Sequence, residues 1–482
     1  MLSDKNPFKT PIKLKQYLGL KNDDKIDISL IPKIEEKLSK HKINVSGDHQ
    51  YISTKNCNLE INLLLCDEHY TLDTSKQTYK LCGRSYKERK PKIFMKEDGI
   101  VTTYDGVSKK KISKQQFDKE KYDSKSSYIW VPYEPYRERN SQTFNTIEEY
   151  YQQFVRDAEQ LKKETNGEIN MYKTGSDNKT ALYLFNRYSK DVFPESIGQN
   201  EAYWLEQSTI SAMMFAESYE GEGYDYDIVS MYPSILQSKY FLIPVKTGEF
   251  KKLDQLQNIL TFGIYRCKIE PLVNKKRFKY NPTNYYTHIE INRARNLNLP
   301  IELIQDDQPN ALVYSRDKLV NSHLIFGKYI NTLFKLKQEG VTRAKSIINI
   351  LWGLLSEYKV KRQVIKNDET IVIPPAEYIR EITPYGDEDT CTFIKTINCK
   401  RIYKYNYARM APFLLSKGRE LIMKHADSII DDVVYLHTNG IITKHKHTFT
   451  NMGDNIGQMK YKGYCSNVKI DNCTSKSGKF KL

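Results

Sequence analysis

The run Asp227-Ile228-Val229-Ser230-Met231-Tyr232-Pro233-Ser234-Ile235 decides how the rest of this chain is read. An acidic residue and two strand-forming residues precede Ser-x-Tyr-Pro-Ser, and Pro is tolerated in a helix only in its first turn. The run therefore predicts a strand that ends in a tight turn and opens a helix, with Asp227 at the strand end facing a cleft. The plainer alternative, a buried strand with a capping Asp, weakens as further motifs are added in order along the chain.

Downstream, Arg343-Ala344-Lys345-Ser346-Ile347-Ile348-Asn349-Ile350-Leu351-Trp352-Gly353 has helical spacing. It puts Lys345, Asn349 and Trp352 on one face and Ile347, Ile348 and Leu351 towards the other. A helix rich in Phe, Leu and Lys, from Phe326 to Lys337, precedes it and completes a helical hairpin, with Lys335, Lys337 and Arg343 as secondary phosphate-binding candidates. Tyr407 to Pro412 lead into a helix over Phe413–Ile422. Then Val433-Val434-Tyr435-Leu436-His437-Thr438-Asn439-Gly440-Ile441-Ile442 reads as two apolar strands about a turn, and Asn-Gly is the favoured pair for a two-residue type I′ hairpin. Upstream of Asp227 stands the glycine-rich Tyr219-Glu220-Gly221-Glu222-Gly223; beyond the hairpin comes Lys460-Tyr461-Lys462-Gly463-Tyr464.

In this order the runs resemble the motifs of family B DNA polymerases, over roughly residues 215 to 465. The likeness is greatest to the protein-primed branch of linear plasmids, viruses and mobile elements. The first run resembles D-x-x-S-L-Y-P-S, with Met231 for Leu. The second resembles K-x-x-x-N-S-x-Y-G, with Ile350 for Ser and Trp352 for Tyr. The third stands where the family has Y-x-D-T-D-S, with His437 and Asn439 in place of both aspartates. Tyr219 and Gly221 resemble the Tyr-x-Gly-Gly/Ala element that touches template, and Lys460-Tyr461 the primer-gripping Lys-x-Tyr region.

The resemblance implies an α+β fold: a right-hand palm of antiparallel sheet with helices, helical fingers and a short thumb, preceded by a separate α/β or α+β N-terminal region. It implies template-directed addition of dNTPs to a primer hydroxyl on primer–template DNA. In that chemistry two Mg²⁺ ions, replaceable by Mn²⁺, sit about 3.5–4 Å apart and stabilise the attacking and leaving oxygens. Asp227 and Asn439 would be the catalytic pair, and Asp227, the Ile228 carbonyl and Asn439 the metal ligands. Ser230, Met231, Tyr232, Arg343, Lys345 and Asn349 would hold the nucleotide, the Tyr232 ring packing under the deoxyribose and excluding a 2′-hydroxyl. Tyr219, Gly221, Trp352, Gly353, Lys460 and Tyr461 would contact DNA. A glycine at 353 would let the backbone approach the nascent base pair. A terminal protein that supplies the priming hydroxyl is the further partner the branch implies, with the interval Phe262–Val313 as its contact.

The third motif divides the functional expectation. Asn439 keeps the shape and one coordinating oxygen of an Asp but not its charge, and a lost ligand in such a site can cost many powers of ten in rate. Asp225 lies roughly 6.6 Å from Asp227 along the strand, too far to substitute, and Asp431-Asp432 opens the hairpin strand without reaching its turn. Two readings follow: an active DNA polymerase, or a catalytically silent homologue that binds DNA or a replication partner as a scaffold.

The 482 residues exceed what one core accommodates. The expected divisions are 1–110, a small α/β or α+β domain; 111–200, a linker and helical region; 201–325, the first part of the palm with the insertion; 326–365, fingers; 366–450, the second part of the palm; and 451–482, a short thumb or tail. The polar stretch Lys109 to Ser127 reads as linker, and Thr146-x-x-Glu149 as a capping box for a long helix that stops at Gly167. No strand followed by Asp-x-Glu precedes the palm, so proofreading is not expected. Lys and Arg number 75 against 59 acidic residues, a formal net charge of +16 that suits a polyanionic partner. Cysteines scattered without a Cys-x-x-Cys pair point to reduced thiols, and Cys57, Cys66, His69 and Cys82 fit no zinc spacing. No apolar run reaches the ~20 residues of a membrane span, and nothing at Met1–Lys5 reads as a signal region, so a soluble intracellular protein without a membrane partner is expected.

Overall fold

The structure is a computed structural model that describes residues 11–21, 23–38, 41–56, 59–66, 69–72, 87–97, 99–124, 127–133, 144–189, 192, 194–271, 276–366, 373, 377–385, 391–399, 401–473, 476–478 and 480. Sheets and helices alternate irregularly along it, so the class is α+β. The chain forms two compact units, Met1–Gly83 and Arg84–Leu482. In the first, the helix Ile31–Lys37 starts with Pro in its first turn and buries Ile31 and Ile34 with Ile43, Val45 and Leu65 of a three-stranded sheet. Cys57 and Cys82 lie outside the described residues.

The second unit opens with a four-stranded sheet, Lys90–Glu97 at its centre between Ile100–Tyr104 and Tyr128–Pro132. Of the polar stretch expected as linker, Lys109–Asp123 forms regular structure. Lys109–Ser113 is an edge strand, and Lys114–Asp123 is a helix started by a capping box of Ser113 and Gln116. One apolar residue suffices to dock it: Phe117 is 1% exposed, with its ring against Phe94 and Trp130. Local polarity misleads here because a helix needs only one buried face.

Around residue 227 lies a six-stranded sheet: β1 (Met214–Ala216), β2 (Tyr219–Ile228), β3 (Val433–His437), β4 (Gly440–Thr443), β5 (Met459–Ile470) and β6 (Lys476–Ser477). The order is β6-β5-β2-β4-β3-β1 and every pair is antiparallel. Residues 459–470, assigned from sequence to a thumb or tail, thus supply the long strand that covers the far edge of β2. The glycine-rich Tyr219–Gly223 is the first half of β2 itself.

Six helices share the main hydrophobic core with the sheet: α1 (Ile147–Glu164), α2 (Asp177–Tyr188), α3 (Met231–Gln237), α4 (Ser322–Gln338), α5 (Ala344–Leu355) and α6 (Ala411–Ala426). α1 starts at Thr146, whose hydroxyl accepts from the Glu149 amide, and the chain turns away at Gly167 with φ +77°. α4 and α5 form an antiparallel hairpin whose apolar faces, Phe326, Ile330 and Leu333 against Ile347, Ile348 and Leu351, join the main core. The interval between α3 and α4 carries a separate sheet with its own core of Tyr265, Cys267, Tyr286 and Ile291. Two buried ion pairs fix α6: Arg409 with Glu201 at 2.7 Å and Arg419 with Glu290 at 2.6 Å. Removing one partner from such a pair costs ~3–5 kcal/mol, because the other charge stays buried.

Among the described residues no helix is long and apolar enough to cross a membrane.

Candidate functional site

Asp227 is the last residue but one of β2, opposite Gly440 of β4 on one side and Lys460 of β5 on the other. Immediately after it the backbone turns through Ser230, which adopts φ +48° and ψ 53° before α3 begins. A non-glycine residue in that region is strained and persists only where its surroundings enforce it. Here the Ser230 hydroxyl accepts a 2.8 Å hydrogen bond from the Lys337 ammonium of α4, and the Ser230 carbonyl accepts from the Ser234 amide. Sequence thus set the strand, turn and helix; the tertiary contact with α4 holds the turn.

The cleft beside Asp227 is lined by Ser230, Met231 and Tyr232 at the start of α3, by Phe334 and Lys337 of α4, and by Lys345, Asn349 and Trp352 of α5. Asn439, Asp454, Lys460 and Lys462 close it. The face predicted for the second helix is the face that lines the cleft, while Ile347, Ile348 and Leu351 are buried behind it. The Tyr232 ring lies 5.0 Å from that of Trp352, tilted by 46°. Burial pushes the Tyr232 hydroxyl up to about 12, so it stays protonated. Behind Tyr232 stands Gly418 of α6, where an added Cβ would come within 2.8 Å of the Tyr232 ring. Gly418 was not singled out from sequence; a lone glycine inside an apolar helix was the available signal.

The turn facing Asp227 departs from its expected form. His437 pairs with Gly440, so the two loop residues are Thr438 and Asn439, not Asn439 and Gly440. Thr438 has φ +62° while Asn439 does not have a positive φ. Glycine normally takes the first loop position when it alone is left-handed, and a β-branched residue there is strained. The Thr438 amide is held by the Met213 carbonyl at 2.9 Å. Asn439 therefore does not serve as half of an Asn-Gly turn. Its side-chain nitrogen donates to Asp227 Oδ1 at 2.6 Å and to the Ile228 carbonyl at 3.1 Å. The Ile228 amide donates in turn to the Asn439 carbonyl at 2.8 Å. His437 is exposed, its ring stacked on Tyr435, and does not line the cleft.

The electrostatics follow from this packing. Burial raises Asp227 to about 6, opposed by Lys462, Lys345 and Lys337 and reinforced by Asp225. Burial lowers Lys337, helped by the neighbouring charges of Lys345, Lys460 and Lys462. The expected metal donors are one carboxylate, one carbonyl and one amide. The amide nitrogen already bonds both of the others, and no group of three His, Cys, Asp or Glu side chains suited to a metal occurs among the described residues. Two hard divalent cations require more anionic oxygen than this, so the donor set does not fit the pair of Mg²⁺ ions.

Other expected site residues fall elsewhere. Arg343 precedes α5 but leaves the cleft: its guanidinium bonds Asp157 of α1 at 2.7 Å and reaches Asp177 of α2 at 3.5 Å. It ties the helical hairpin to α1 and α2 and does not line the cleft beside Asp227. Lys335 is exposed beside Glu339. Tyr219 and Gly221 lie eight and six residues before Asp227 on β2, ~26 and ~20 Å along the strand, where the Tyr219 hydroxyl donates to the Glu222 carbonyl. Tyr461 packs its ring 5.4 Å from Tyr226, outside the cleft lining. Gly353 faces open space, with no protein atom within 4 Å of an added Cβ, so packing within the chain does not require a glycine there. Lys462, not singled out from sequence, joins Lys460 at the cleft where the register of β5 slips between Tyr461 and Gly463.

No protein-family model matches the sequence, and no curated protein matches it. Among solved structures, this chain is similar to phi29 DNA polymerase complexed with single-stranded DNA, with a TM-score of 0.49 and 13% identity over 79% of this chain and 70% of that one. It is similar to phi29 DNA polymerase complexed with primer-template DNA and incoming nucleotide substrates, with a TM-score of 0.49 and 14% identity over 80% of this chain and 71% of that one.

Proposed function

We propose that this chain is a DNA polymerase-like protein whose cleft receives a dNTP against primer–template DNA. The observation that carries the reading is the convergence, from three separated stretches of sequence, of Asp227, the Ser230–Tyr232 turn, Lys345 and Asn349, and Lys460 in one cleft. Lysines suit the triphosphate, and the tilted Tyr232–Trp352 pair offers an apolar wall for sugar and base. Tyr232, backed by Gly418, would exclude a 2′-hydroxyl and so favour deoxynucleotides. The net charge of +16 supports a polyanionic partner.

Within that reading, template-directed addition to a primer hydroxyl is what the first motif favours. Binding without turnover is what Asn439 favours, because its amide bonds the one carboxylate of the pair. A terminal protein remains a partner proposed from the resemblance, with the separate sheet between α3 and α4 as its contact. The test is primer extension on a short primer–template with Mg²⁺ and, separately, Mn²⁺, comparing the chain with Asn439→Asp and Asp227→Ala. Extension by the unaltered chain that disappears in Asp227→Ala supports the enzyme. Extension only after Asn439→Asp supports a binding protein silenced at one position. Silence throughout, with no salt-sensitive DNA binding, overturns the polymerase-like reading.

A further inference from the structure

We propose that this cleft binds a nucleoside triphosphate without divalent cations, lysine ammonium groups taking the place of the metal ions against the phosphates. The proposal rests on the cleft assigned above and deepens it by naming how the ligand's charge is met.

Four lysines, Lys337, Lys345, Lys460 and Lys462, face two carboxylates in the cleft lining, Asp227 and Asp454. Asp454 is 77% exposed at the rim, where it pairs with Lys460 at 2.6 Å. Among the described residues Lys337, Lys345 and Lys462 make no ion pair; Lys337 is half-buried and bonded to Ser230, while Lys345 and Lys462 are exposed at the cleft. Like charges gathered in one cleft without matching anions are unfavourable by themselves, and an anionic ligand relieves them.

The same arrangement works against a cation. To ligate Asp227 Oδ1 and the Ile228 carbonyl, a metal would have to displace the Asn439 amide from both. It would do so with a single carboxylate and in a cleft whose lining carries four lysines. A triphosphate, carrying about four negative charges, meets those ammonium groups directly, and charge-assisted hydrogen bonds of this kind are roughly twice as strong as neutral ones. The change of Asp to Asn at the turn and the lysines of the wall thus act in one direction: less attraction for metal, more for bare phosphate.

The test uses the full chain and a fluorescently labelled dATP, read by anisotropy and by competition with unlabelled dATP, in EDTA and in excess Mg²⁺. The expected result is an affinity in EDTA within about threefold of that in Mg²⁺, falling steeply as KCl is added because the contacts are ionic. Lys345→Ala with Lys462→Ala should weaken binding in EDTA by about tenfold or more, with the circular dichroism spectrum unchanged. Asn439→Asp should invert the metal dependence, making Mg²⁺ improve binding by about tenfold or more. Binding by the unaltered chain that appears only with Mg²⁺ overturns this inference and leaves the nucleotide cleft standing. Absence of binding in both conditions, in the unaltered chain and in Asn439→Asp, overturns the cleft assignment itself.

Discussion

The floor of the cleft and its helical wall carry different chemistry. On the floor, Asp227 stands near the end of β2, but the opposing turn offers an amide that bonds it. On the wall, α4 and α5 present a basic face, with Lys337, Lys345 and Asn349 turned to the same space. In the proposed reading, the charge that would hold a metal and the charge that would hold phosphate are therefore separable. An amide at 439 weakens the first without disturbing the second, because Lys337 and Lys345 are positioned by the packing of α4 against α5 and not by the turn.

The sharpest way to break this comparison is to restore the floor. Asn439→Asp is expected to raise Mg²⁺-dependent primer extension by ~10³-fold or more over the unaltered chain, measured as labelled primer elongated per unit time. No gain would mean that the floor has lost more than one charge. The wall is tested next by two cations that stand two residues apart in sequence. Arg343→Ala should destabilise the chain by ~3–5 kcal/mol, since Asp157, 3% exposed, is left without its counter-charge. Lys345→Ala should leave stability within about 0.5 kcal/mol and weaken dATP binding instead. Urea denaturation of both variants separates the roles.

A third test concerns the buried carboxylate. Its proton is held more tightly in the folded state, at about 6 against an ordinary 3.8. Its contribution to stability is therefore complete below pH 4 and lost as pH rises through 6. Asp227→Asn should gain on the unaltered chain by on the order of 2 kcal/mol between pH 4 and pH 7, read from denaturation midpoints at the two pH values. Behind the nucleotide wall, Gly418→Ala drives a methyl group into the Tyr232 ring. It should cost about 1–2 kcal/mol and narrow the preference for dATP over ATP in competition binding. The smallest effect is expected at the turn: Thr438→Gly relieves the left-handed strain and should stabilise by about 1 kcal/mol, unless the Met213 contact alone fixes that conformation.

Much of the site was legible because its elements are local. The order apolar-apolar-Ser-x-Tyr-Pro-Ser dictates strand, turn and helix within nine residues, and the spacing of Lys345, Asn349 and Trp352 dictates one helical face. Lys109–Asp123 was not legible: its polarity outweighs its one anchor, Phe117, until the sheet that receives that ring exists. Arg343 was misassigned for a related reason. Sequence places it one step before the nucleotide-binding helix, but the two acids that capture it come from residues 157 and 177, and charge pairing at such separation is a property of packing.

The class of the fold was implied by the resemblance of the motifs; by itself the sequence determined the strand that carries Asp227, the basic helical face and the absence of a carboxylate at 439. Each follows from residue type and from periods of two or 3.6 residues, which need no distant partner. The tertiary structure decided what those pieces do to one another. It decided that the end of the chain pairs with β2 and brings Lys460 opposite Asp227, and that the loop residues are Thr438 and Asn439. It also decided that the Asn439 nitrogen, and no second carboxylate, meets Asp227. Strand register and side-chain contact are set by surfaces hundreds of residues apart in sequence, and only the folded chain brings them within bonding distance.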